Sequence, residues 1–173
     1  VNEYSLSTAF DVSTASYVQN FDSQKDRPRD IAFNNDGTKM FITEFSFGDV
    51  NEYSLTTAFD VSTANYVQNF SVSAQEQSPD ALAFNNDGTK MFITGSQYPN
   101  VYAYNLSTAF DVSSASFVGN PQGQIWIQLQ ENDATGLTFN NDGTKMFVIG
   151  TQKDNVNEYN LSTAFDISTA SFV

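Results

Sequence analysis

Short apolar runs separated by polar turns, rather than a stripe of helical period, organise this chain. Ile31-Ala32-Phe33 and Met40-Phe41-Ile42-Thr43 flank the polar stretch Asn34-Asn35-Asp36-Gly37-Thr38-Lys39. Residues that fit a pleated surface on both sides of an Asp-Gly pair predict two strands joined by a tight hairpin, with the glycine in the left-handed conformation. Val50-Asn51-Glu52-Tyr53-Ser54-Leu55 alternates with period two and reads as a third strand with two distinct faces. Ala64-Asn65-Tyr66-Val67 is the fourth. Between the last two, the Ser, Thr and Asp side chains of residues 56–63 can bond nearby backbone and close a compact turn, with room for one helical turn but not a long helix.

The four-strand unit recurs. The hairpin Phe33–Phe41 returns as Phe84–Phe92 and Phe139–Phe147, and the other half, Val1–Val18, returns from Val50, Val101 and Val156. Starts of the recurring half lie 49, 51 and 55 residues apart, a period that suits a four-stranded blade better than a short solenoid coil. With the strands lettered A to D, the chain is a single repeat domain over 1–173. It divides into a CD half-blade at 1–18 and full blades at 31–67, 82–118 and 137–173, which is 14 strands.

The run Ile-Ala-Phe-x-x-Asp-Gly-Thr-Lys-Met-Phe-Ile over residues 31–42, followed by Val-x-Glu-Tyr-x-Leu from Val50, resembles the blade repeat of bacterial β-propellers of the YVTN, NHL and WD40-like kind. The likeness covers essentially the whole chain. It implies an all-β fold of four-stranded antiparallel blades with strand A innermost and strand D outermost, and it leaves function open, because propellers carry many unrelated activities. About three and a half blades cannot close a ring that typically needs four to eight. Bare blade faces and strand edges invite association. The expectation is therefore a homodimer in which a second chain closes the ring, with a piece of a longer protein as the alternative.

Spacing separates two faces of such a propeller. The hairpin, the B-to-C connection and the CD half keep constant lengths, whereas the D-to-A connection spans 13, 15 and 19 positions. In a four-stranded meander the DA and BC connections share one face, so that face is individual and the other is uniform. Individual loops on a rigid scaffold are where binding resides. The candidate ligand-binding residues are accordingly Phe45 and Phe47 in the first BC loop, Gln97 and Tyr98 in the second, Gln152 in the third, and Trp126 in the longest DA segment. Gln124–Gln130 alternates like an extra strand. Aromatic rings beside amides suit a glycan or a peptide. Plugging of the channel by Trp126 and Ile127 is the competing reading.

Charge and inventory narrow the chemistry. The net charge of −13 argues against nucleic acid and anionic membranes, whose phosphates need Lys and Arg. No apolar run approaches the roughly 20 residues of a membrane span. Without His or Cys, Ser-His and Cys-His nucleophile systems are ruled out. A carboxylate pair could cleave glycosides; the three-arginine cluster of sialidase propellers could not form from Arg27 and Arg29 alone. Seven acids, Asp11, Asp36, Asp60, Asp87, Asp111, Asp142 and Asp166, recur at equivalent turns and read as structural. The unpaired acids are Asp22, Asp26, Asp30, Glu44, Asp49, Glu76, Asp80, Glu131, Asp133 and Asp154, and their spacing selects no pair. No cofactor is expected beyond calcium, which Glu44, Asp49, Asp133 and Asp154 could hold if they converged. The reading that results is a non-catalytic binding or adhesion module at an extracellular or cell-surface location. A carboxylate-dependent glycoside hydrolase or lyase, and a structural repeat of a larger surface or viral protein, are its alternatives.

Overall fold

A computed structural model describes residues 1–173. Fifteen strands form four antiparallel sheets, with a single 3-10 turn before each outer strand. β1 (Asn2–Leu6) and β2 (Ala15–Asn20) are the half-blade. β3 (Pro28–Phe33), β4 (Lys39–Glu44), β5 (Asp49–Leu55) and β6 (Ala64–Ser71) make the first full blade. The second contains β7 (Pro79–Phe84), β8 (Lys90–Gly95), β9 (Asn100–Leu106), β10 (Ala115–Phe117) and β11 (Gln124–Trp126). The third is β12 (Ala134–Phe139), β13 (Lys145–Gly150), β14 (Val156–Leu161) and β15 (Ala170–Phe172). The expected propeller blades are present, and the arc they form is not closed.

Each AB hairpin is built by its own polar centre. Gly37 N donates to Asn34 O at 3.1 Å, Lys39 N donates to Asn34 Oδ1 at 2.9 Å, and the Thr38 N–H and hydroxyl both donate to Asp36 Oδ1. At the opposite corner of the blade, Asp60 Oδ1 accepts from Ser62 N and caps the 3-10 turn Val61–Thr63. The residue before that cap, Phe59, stands at φ 61°, a region costly for a bulky side chain. Its ring lies on Gly37, where a Cβ would come within 2.3 Å of it, and its N–H donates to Gly37 O at 2.9 Å. Phe110 on Gly88 and Phe165 on Gly143 repeat the arrangement. Glycine is thus required in the hairpin both for its φ near 70° and for the absence of a side chain.

Neighbouring blades meet through a second aromatic contact. Phe41 of β4 packs on Phe84 of β7 with ring centroids 4.7 Å apart, and Phe92 of β8 packs on Phe139 of β12 at 4.6 Å. Around these pairs lie two buried clusters, one holding Val50, Leu82, Ile93 and Val112, the other Val101, Ile127, Val148 and Ile167. On the side of the half-blade Met40, Ile42, Tyr53 and Val61 form a third buried cluster, with Val1 and Phe21 packed against it, and beside it lies a hollow of about 290 Å3 lined by Val1, Asn2, Pro28, Arg29, Ile31 and Ile42. That hollow is where the A and B strands of a complete blade would stand. At the other end of the arc Ile149 and Val156 are exposed.

One strand expectation needs correction. The extra strand expected over Gln124–Gln130 is present but shorter: only Gln124–Trp126 is extended, and it pairs with β9 through Gln124–Tyr102, Ile125–Val101 and Trp126–Asn100. β10 and β11 together do what the unbroken β6 does in the first blade, so the fourteen strands expected become fifteen. Excursion 118–123 accounts for the difference. Val72 and Ile127, both fully buried, end the two D strands in the same way, each carbonyl accepting from the residues three and four positions on.

Gly88→Ala should therefore cost roughly 3 kcal/mol or more, summing a strained left-handed alanine and a clash with Phe110. Urea unfolding of the variant checks this, and a loss below about 1 kcal/mol would show that Phe110 can leave its seat freely.

Candidate functional site

The DA and BC connections do emerge together, and buried carboxylates tie them to each other. Glu76, on the DA segment of the second blade, is completely buried, and its two carboxylate oxygens accept from the backbone N–H groups of Ser78, Gln97 and Tyr98 at 2.9–3.2 Å. Glu131 holds the third blade's loops in the same way, accepting from Asn132, Asp133, Gln152 and Lys153 N–H groups. In both blades strand B, β8 or β13, ends in a glycine directly beneath the carboxylate, Gly95 or Gly150. The first blade reverses the roles: Lys25 stands at the repeat position of Glu76, and Glu44 stands at the position of Gly95. Glu44 accepts from Asp26 N at 3.1 Å and from Asn51 Nδ2 at 3.4 Å. Three unpaired acids of the sequence are thus loop clamps supplied from either side of one gap.

The remaining acids are sorted by their partners. Asp22, Asp26, Asp49 and Asp133 accept from Gln24 N, Ser46 Oγ, Asn69 Nδ2 and Thr151 Oγ1. Asp30 bonds Ile31 N and, across the blade junction, Leu82 N. No group of three or more acids gathers closely enough to hold a metal ion, so the expected convergence of Glu44, Asp49, Asp133 and Asp154 does not occur. Glu44 is consumed by its clamp, and Asp49 and Asp133 each accept from a side chain of their own blade.

Asp80 is different. It lies at the start of β7, nearly buried, 3.3 Å from Nε of Arg29 at the equivalent place on β3 of the preceding blade. Burial pushes its carboxyl above the usual aspartate range and Asp133 on the next blade adds to this; Ser96 and Arg29 work the other way. The Arg29 guanidinium lies over the ring of Phe45 at 4.6 Å, with Arg27 further off at 5.7 Å. Arg29 and Asp80 therefore form a charged pair at the variable end of the inner strands, beside the 290 Å3 hollow that Arg29 also lines, with Asp133 of the next blade adding negative charge on the same side. Arg29 and Asp80 both stand four residues before the phenylalanine that ends strand A. Opposite charges at one repeat position of adjacent inner strands were the signal in the sequence.

Of the six residues singled out as ligand-binding, Phe45 belongs to this group, as the platform for Arg29. Phe47 is exposed. Gln97 and Tyr98 give their N–H groups to Glu76, and Tyr98 borders a shallow hollow of about 260 Å3 with Gln75, Tyr102 and Phe117. Gln152 accepts from Asn132 Nδ2. Trp126 is 66 % exposed on β11 and plugs no channel; Ile127 alone is buried. The six spread across three blades and do not converge.

No protein-family model matches the chain, and no curated protein matches it in sequence. Solved structures do. A candidate 6-phosphogluconolactonase of Bacteroides fragilis has a TM-score of 0.61 at 13% identity, over 94% of this chain and 40% of its own. The periplasmic gluconolactonase PpgL of Pseudomonas aeruginosa gives 0.60 at 15%, over 91% and 40%. Hydrazine synthase of Kuenenia stuttgartiensis gives 0.59 at 16%, over 91% and 38%. The chain spans about two fifths of the length of these proteins. At such identities the likeness shows the propeller fold alone. The names of these three correct the expectation of a non-catalytic binding module: all three are named as enzymes, two of them as lactonases, and the hydrolase alternative accords with them better. No helix is long and apolar enough to cross a membrane.

Glu76→Ala should cost about 3 kcal/mol in urea unfolding, because three buried N–H groups lose their acceptor. Burial is the largest influence on the Glu76 and Asp80 carboxyls and raises both. A carboxyl raised in the fold stabilises it fully only below the unfolded pKa, and that contribution is lost as pH rises from there through the folded value. Between about pH 4 and pH 7, Asp80→Asn should lose less stability than the parent chain. An identical pH profile would show that Asp80 titrates normally.

Proposed function

We propose that the chain is the site-bearing arc of a hydrolase-type propeller that opens a sugar-acid lactone. The observation that carries this reading is the Arg29–Asp80 pair at the inner-strand ends, with Asp133 beside it. The names of the lactonase-like neighbours supply the substrate class. Opening a lactone needs a polarised carbonyl, a water that loses a proton, and a proton for the departing ring oxygen. With Nε engaged by Asp80 and its face on Phe45, the Arg29 guanidinium keeps its terminal nitrogens for the carbonyl oxygen. Asp133 accepts the proton of the attacking water. Asp80, held towards its protonated form by burial, supplies the proton as the carbon–oxygen bond of the ring breaks. The products are the hydroxy acid and a site whose two aspartates have exchanged a proton.

The ring around this site is completed in the same proposal by a second copy, with the exposed face of the last blade as its surface; one neighbour's periplasmic name supports a location outside the cytoplasm. Light scattering should then give twice 19.1 kDa; a concentration-independent monomer would remove the homodimer.

The test of function is hydrolysis of gluconolactone and its 6-phosphate, followed by proton release above the spontaneous rate. Asp80→Asn and Asp133→Asn should each lower kcat at least about 100-fold while melting within a few degrees of the parent. Turnover equal to the uncatalysed rate in the folded parent, or unaffected by either substitution, would sink the reading.

A further inference from the structure

The second and third blades meet without a polar contact that the two earlier junctions share. Glu3 and Glu52 each accept, at 3.1 Å, from a backbone N–H in the CD turn of the following blade, Val61 N and Val112 N. At the third junction the equivalent N–H belongs to Ile167, which is 1 % exposed. Ala103 stands at the repeat position of Glu52, and no acceptor reaches Ile167 N.

A second group is left over at the same place. Lys39 donates to Glu52 Oε1 at 2.8 Å and to Phe110 O at 2.7 Å. Lys90 keeps the equivalent carbonyl, Phe165 O at 2.9 Å, but pairs with no carboxylate. Gly119 replaces Gln68, whose amide bridges Glu52 and Asp111, and a Cβ on Gly119 would meet nothing within 4 Å. Lys90, Ala103, Gln122 and Ile167 line one cavity of about 180 Å3, and Asp166 is the only acid in its wall.

An ammonium without a counter-ion and a buried N–H without an acceptor are both costly, and one small anion satisfies the two together. We propose that this cavity is a binding site for a small carboxylate, acetate or the acid end of a larger molecule, seated where Glu52 places its carboxylate at the second junction. Relative to glutamate, the Ala103 side chain is shorter by a CH2–carboxylate unit, which is acetate in outline. One oxygen accepts from Ile167 N and the other from Lys90 Nζ, as Glu52 Oε2 and Oε1 accept from Val112 N and Lys39 Nζ. Gln122 supplies the amide that separates the ligand from Asp166, the task of Gln68 between Glu52 and Asp111. The cavity is several times the roughly 30 Å3 that a water occupies in the liquid, so acetate fits with room for a short tail. Once bound, the ligand ties the second blade to the third as Glu52 ties the first to the second.

The probe is sodium acetate, titrated into the 173-residue chain against sodium chloride at matched ionic strength and followed by amide chemical shifts and thermal melting. A net charge of −13 disfavours loose anion binding, so saturation reports a built site. The expected result is a Kd between about 1 and 10 mM, with shifts centred on Ala103, Gly119 and Ile167. The melting temperature should be about 4 °C higher in about 100 mM acetate than in chloride. Ala103→Glu places a carboxylate in the same seat and should abolish the acetate response; Lys90→Met should weaken binding at least tenfold. The two substitutions act separately, and either one in a folded chain is decisive. No saturable shift at Ile167, equal melting in acetate and chloride, or acetate binding undiminished in either folded variant would each overturn the proposal.

Discussion

A phenylalanine ring lying on a glycine holds each blade together from end to end. Phe59, Phe110 and Phe165 belong to the outer CD turn, and Gly37, Gly88 and Gly143 to the inner AB hairpin, so one contact joins the outermost loop to the innermost. The phenylalanine accepts an unfavourable backbone region to reach its seat. The hydrogen bond from its N–H to the glycine carbonyl and the burial of its ring offset that strain. With both ends of the sheet fixed on the uniform face, the DA and BC connections are free to differ on the other. Only there do the repeats diverge in length.

Between blades a polar device supplements the aromatic one, and its presence varies along the arc. Glu3 accepts from Val61 N and Gln19, which also reaches Asp60. Glu52 likewise accepts from Val112 N and Gln68, which reaches Asp111. Lys39 anchors the second junction by donating to Glu52 and to Phe110 O. At the third junction Ala103 and Gly119 replace the glutamate and glutamine. A cavity of about 180 Å3, lined by Ala103, Lys90, Gln122 and Ile167 among others, lies there instead. Lys90 still donates to Phe165 O, so the junction keeps one polar tie and its buried aliphatic cluster. Burial of apolar surface, rather than the carboxylate network, is what blade stacking depends on.

The clamp carboxylates and the Arg29–Asp80 group show how one composition serves two purposes. Glu44, Glu76 and Glu131 spend every oxygen on backbone or amide donors and fix the loops. Asp80 meets a charged partner and a like charge from two different blades, which is the setting in which a carboxyl is poised for proton transfer. In the proposed hydrolase the clamps would hold rigid the loops that flank Asp80.

The repeats, the strand order, the Asp-Gly hairpins and the division into a uniform and an individual face were legible in the residues, because each follows from local chain geometry repeated at a near-constant period. The structural role of the recurring aspartates was legible for the same reason: Asp36 and Asp60 bond residues two positions away. The site was only partly legible. Phe45 was singled out as a ligand-binding candidate and proved to be a platform for Arg29, while Asp80 stood unselected among ten acids. What decides their roles is the lateral contact of strands from different blades: the shared repeat position of Arg29 and Asp80 is a signal in the sequence, but only the packing of adjacent blades turns it into a 3.3 Å contact. The splitting of one D strand into β10 and β11 was hidden likewise, since the pairing of Ile125 with Val101 depends on an edge that exists only after the sheet has formed.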